Sequence, residues 1–112
     1  MDSLAEVHFF TRNYAEAEKQ FLAGAAKYPE FQLGIDRLKA AASRLAAGDA
    51  KGAEALATEH MDLLRRKEIR TLQPTQQLWK RLVEASAAGG PDAAVAAIEK
   101  TLMPRPAPAA PL

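Results

Sequence analysis

Three turn-forming clusters, Arg12-Asn13, Gly48-Asp49 and Gly89-Gly90-Pro91, divide an alanine-rich chain at a period of roughly 35 to 40 residues. Alanine loses the least on entering a helix, and β-branched residues, which favour strands, are scarce here. No segment alternates apolar and polar residues with period two. The spacing therefore predicts helix-turn-helix units and excludes a sheet.

Six helices follow from apolar spacing and punctuation. Asp2 or Ser3 can cap a first helix over about 3–12, with Leu4, Val7, Phe10 and Phe9 apolar. The second places Tyr14, Ala17, Phe21, Ala25 and Tyr28 on one face and stops at Pro29. In the third, Phe31, Ile35, Leu38, Ala42 and Leu45 form a narrow seam. Asp49 can cap a fourth, Ala50 to Lys67, whose inner face carries Ala53, Leu56, Ala57, His60 and Leu64. Pro74 or Thr75 opens a fifth, with Leu78, Trp79, Leu82 and Val83, and Gly89-Gly90 ends it. Pro91 sits in the first turn of a sixth, with Ala94, Ile98 and Leu102 inward.

Short links imply antiparallel neighbours. The expected fold is all-α: about six helices in three antiparallel hairpins stacked as a short array over 1–103. A Pro/Ala-rich tail over 104–112 cannot continue a helix and is expected to be disordered. With 112 residues the chain suffices for one modest core. Its net charge of +1 supplies no global field for nucleic acid or a membrane, so any electrostatic partner is met locally. The absence of cysteine excludes disulfides and thiolate chemistry. No long apolar run follows the acidic start Met1-Asp2-Ser3-Leu4-Ala5-Glu6, and a cytoplasmic location is the expectation.

The repeats resemble those of the tetratricopeptide family. In the first unit, Leu4-Ala5 matches the large-small pair, Tyr14 the opening aromatic, Ala17 and Phe21 the small-then-aromatic step, and Pro29 the closing proline. Met1 and His8 stand where tryptophan and tyrosine are usual. The second unit keeps Ala41, Gly48-Asp49 and Ala53 but has Ala57 in the aromatic slot, and the third keeps Trp79, Leu82, Ala94 and Ile98.

The resemblance implies a non-enzymatic protein-interaction or scaffolding module holding a peptide or helix of a partner protein in a concave groove. Carried over, the groove is lined by Glu6, Phe9, Phe10, Leu38, Ala42, Leu45, Lys80 and Glu84. Adjacent Phe9 and Phe10 cannot both face inward on one helix. On this reading, a charge at Phe9 or Leu38 abolishes partner capture and leaves stability nearly intact. Asn13, the only asparagine, sits in a turn, so a clamp for a C-terminal carboxylate is not expected. The uncapped end of an array also admits self-association.

Arg65, Arg66, Lys67 and Arg70 form the densest basic cluster, but helix ends attract cations and Asp62 can pair with Arg66 at i,i+4. Neither nucleic acid nor membrane is an expected partner. His8 and His60 are the only histidines; Glu59-His60-Met61-Asp62 does not converge its ligands on one point, and His60 is expected in the core. The Ala46–His60 stretch is also similar to the last hairpin of the FCD domain of GntR-type regulators, where a histidine binds metal; that resemblance implies a small ligand- or metal-binding regulatory domain as the alternative. No catalytic constellation or cofactor motif stands out.

Overall fold

The computed structural model describes residues 2–28 and 35–104, with side chains from Leu4 onward. Pro29, Phe31, the Asp2 and Ser3 side chains and the tail beyond Pro104 lie outside the described residues. Among the described residues every regular element is helical: α1 (Asp2–Phe10), α2 (Tyr14–Lys27), α3 (Ile35–Ala46), α4 (Ala50–Arg66) and α5 (Leu72–Thr101).

The expected fifth and sixth helices are two arms of α5, and the difference is physical. Gly90 has φ 77° and ψ −168°, the one non-helical residue within α5. That region of backbone space is open essentially to glycine alone. Pro91, which lacks an amide hydrogen, starts the second arm where no donor is needed. The expected break is thus present as a kink rather than a loop. Pro74 also falls in the first turn, three residues after Thr71, so α5 begins earlier than its proline suggests.

Three other helix ends share one bonding pattern. Asn13 N donates to His8 O and Arg12 N to Phe9 O; Asp49 N donates to Arg44 O and Gly48 N to Leu45 O; Ile69 N donates to Leu64 O and Glu68 N to Arg65 O. These paired bonds close a helix when the residue after the last turn is left-handed. Arg12 (φ 66°), Gly48 (φ 96°) and Glu68 (φ 54°) all are. The third closure of this kind, at Glu68, has no glycine to announce it, and the Gly89-Gly90 break takes the different form of the kink in α5.

The Gly48–Gly52 segment shows why its residues occur together. Asp49 accepts a hydrogen bond from Gly52 N at 2.9 Å and an ion pair from Arg44 Nη1 at 2.9 Å. Arg44 Nε also grips both carboxylate oxygens of Glu18, at 2.7 and 2.8 Å, tying α2 to the α3–α4 turn. A Cβ on Gly52 would collide with Arg44 Nη1 and Asp49 Oδ2. Asp49→Ala should therefore lower stability by about 1 kcal/mol, or roughly 3 to 6 °C in Tm. Asp49→Ser, which keeps the cap and drops the ion pair, should recover most of that loss in thermal denaturation.

Consecutive helices pack against one another, and α3 also touches α5. α3 is the hub: Leu38, Ala40, Ala41, Ala42, Ser43, Leu45 and Ala46 are all buried, so it is covered on nearly every side rather than along the expected seam. Its alanines let the neighbouring helix axes approach closely enough for this. One core runs from Ala5 and Phe9 through Phe21 and Leu38 to Trp79, Leu82, Ile98 and Met103. The face of α1 is rotated from expectation: Ala5 and Phe9 face inward while Leu4 and Val7 are exposed. The expected face of α2 is kept at Ala17, Phe21 and Ala25, joined by Gly24, and departs only at its end, where Tyr28 lies outside with Lys27 Nζ 5.5 Å from its ring centroid.

Candidate functional site

The residues expected to line a groove do not converge on one. Phe9 and Leu38 are each 1% exposed and Leu45 0%, and Ala42 is equally buried. The correction follows from α3 being the hub: side chains on its seam meet α2, α4 and α5 and have no open side. Glu6 is engaged by Lys39, whose Nζ lies 3.0 Å from Glu6 Oε2 and 5.9 Å from the Phe21 ring centroid. Phe10 is half-buried, edge-on to Phe9 with ring centroids 5.8 Å apart. Lys80 and Glu84 alone stay at a solvent-facing rim, 4.0 Å apart.

That rim borders a groove of about 410 Å³ between α4 and the first arm of α5. Its floor is apolar, made by Trp79 and Val83 from α5 and Met61 from α4, and Glu54, Gln76, Lys80 and Glu84 edge it. Trp79 is buried and its Nε1 donates to Glu54 Oε2 at 2.8 Å, which satisfies the indole N–H and fixes the ring as a wall. Trp79 and Val83 lie one helical turn apart, as do Lys80 and Glu84, so the apolar floor and charged edge are adjacent stripes of one helix. This i,i+4 pairing is legible in the sequence; the contributions of Glu54 and Met61 need the packing of α4.

Two further depressions lie near the helix ends. Arg37, Glu59, Asp62, Arg65 and Arg66 line one of about 460 Å³. The expected Asp62–Arg66 side-chain pair is not formed: Asp62 Oδ1 takes Arg65 Nη1 at 2.7 Å, and Arg66 reaches only the Asp62 carbonyl, at 3.4 Å. Arg37 joins from α3, 3.7 Å from Glu59. The other, about 290 Å³, has His60, Leu64, Leu78 and Ile35 on its walls. His60 is 2% exposed, and among the described residues no three histidine, cysteine or acidic side chains cluster to hold a metal. His8 instead meets Asn13 Nδ2 at 3.3 Å.

No protein-family model, curated protein or solved structure matches this chain. Among the described residues no helix is long and apolar enough to cross a membrane.

Proposed function

We propose that this chain is a non-enzymatic interaction module of tetratricopeptide-like stacked hairpins, and that it holds a helix or peptide of a partner protein in the α4–α5 groove. The observation that carries the reading is the groove's construction: an apolar floor of Trp79, Met61 and Val83 inside a rim of Glu54, Lys80 and Glu84. Partner surfaces have this anatomy, with buried aromatic anchors inside a polar edge. The mixed rim charge favours a partner segment carrying both signs, set beside an apolar stripe.

The test places a photo-crosslinking residue at exposed Gln76 in cells and identifies what is captured. One specific protein is expected, with capture lost in Val83→Asp and weakened in Lys80→Glu, which lies at the surface and leaves circular dichroism unchanged. A peptide spanning the crosslinked region should then shift the emission of Trp79, the chain's sole tryptophan. Capture indifferent to both substitutions, or peptide binding that leaves Trp79 emission unmoved, would remove the groove from consideration. Recovery of a second copy of the chain would identify the partner as itself.

A further inference from the structure

The second arm of α5 lies beside the α1–α2 turn, and a small cavity of about 250 Å³ separates them. Its apolar walls include the rings of Phe10 and Tyr14 on one side and Val95 and Ala96 on the other. Three charges face it: Arg12 from the turn, and Asp92 and Glu99 from α5. All three act on the Tyr14 hydroxyl. Burial raises its pKa above the ordinary value of 10.0, Arg12 opposes that rise, and Glu99 and Asp92 add to it. Opposite charges are thus gathered around one phenol, and among the described residues neither Arg12 nor Asp92 forms an ion pair.

The turn itself favours glycine, yet Arg12 occupies the left-handed position at φ 66°. A simple anion in the cavity would be repelled by Asp92 and Glu99, and a simple cation by Arg12. A ligand bearing both charges a few bonds apart, with an apolar group for the Phe10–Tyr14–Val95 walls, is complementary to Arg12, Asp92 and the apolar lining. The cavity lies below the roughly 300 to 1,000 Å³ of drug-sized sites, which sets the scale of the ligand.

We propose that this cavity binds a free α-amino acid with an apolar side chain: Arg12 receives its carboxylate, Asp92 its ammonium, and Phe10, Tyr14 and Val95 its side chain. Arg12 forms a planar, bidentate match to a carboxylate. The site is separate from the α4–α5 groove, so its test stands or falls independently of the function proposed above.

The experiment is a two-dimensional NMR titration of the full chain with L-leucine, L-leucinamide, which lacks the carboxylate, and N-acetyl-L-leucine, which lacks the ammonium. L-Leucine should produce saturable shifts centred on Tyr14 and Val95 with a Kd on the order of 0.1 to 1 mM. Each analogue should bind at least about tenfold weaker, the loss of one charge-assisted contact. Arg12→Gly should abolish the preference for L-leucine over its amide while keeping or raising the melting temperature, because glycine suits the left-handed turn. Asp92→Asn, at an exposed position, should likewise abolish the preference over the acetylated form. The proposal is overturned by the absence of saturable shifts with both L-leucine and L-phenylalanine up to about 20 mM. It is equally overturned by three probes that bind alike, or by leucine binding that survives in Arg12→Gly unchanged.

Discussion

Replacing Gly90 with L-alanine is expected to destabilise the protein by about 1 to 3 kcal/mol, because φ 77°, ψ −168° is costly for any residue with a Cβ of L configuration. A Cβ there would meet no atom within 4 Å, so the penalty belongs to the backbone and not to crowding. D-Alanine, introduced by chemical ligation, makes the distinction directly. For the mirror-image residue this conformation is ordinary extended backbone, and the smaller unfolded ensemble should leave stability equal to or above that of glycine, by up to about 1 kcal/mol. Urea denaturation of the three forms checks this; equal losses for L- and D-alanine would show that the kink is held by something other than Gly90. The kink also has a geometric effect. Unbent, the 30 residues of α5 would extend about 45 Å, close to the 47 Å longest extent of the described residues. Bent, α5 covers α4 with Trp79 and meets the α1–α2 turn with Val95.

Phe9→Ala should cost about 3 to 5 kcal/mol, a large share of the total expected for a domain of this size. The Phe9 ring is 1% exposed, packs 5.4 Å from Tyr14 and 5.8 Å from Phe10 between centroids, and belongs to the same core as Leu38 and Ile98. Truncation removes its burial, leaves a cavity beneath the α1–α2 turn and forfeits both ring contacts. Phe10→Ala should cost clearly less, since that ring is half-buried. Urea midpoints for the two variants decide the matter, and a smaller loss at Phe9 than at Phe10 would contradict the packing described. A charge at Phe9 or Leu38 is correspondingly expected to unfold the chain, the reverse of what a groove position would show.

The helical class, the limits of α4 and the break at Gly90 are legible in residue types, because propensity, capping and glycine punctuation act locally. The inward face of α1 is not. Its nine residues, Asp2 to Phe10, include Leu4, Val7, Phe9 and Phe10 on several sides, so apolar spacing cannot choose between faces. In the structure Ala5 turns inward beside Phe9, with Leu4 and Val7 outside. Leu38 and Leu45 mark a narrow seam for one neighbour on α3, but the alanines between them are buried as well, and α3 meets α2, α4 and α5. For the α4–α5 groove, the stripe Trp79–Val83 beside Lys80–Glu84 is local and visible, whereas Glu54 and Met61 arrive only through packing. The same limit hid the Arg12–Asp92 cavity, whose two sides are about eighty residues apart.

That separation governs the order in which the molecule can be completed. During synthesis α1, α2 and α3 are made long before Val95 and Ala96, so the last wall beside Phe10 and Tyr14 is absent until the second arm of α5 has been made. A nascent chain halted before Gly90 would therefore present those rings without their final cover, as a target for chaperones. Ribosome-bound chains ending before and after the second arm of α5, each extended by a linker that clears the exit tunnel, would differ most at this turn.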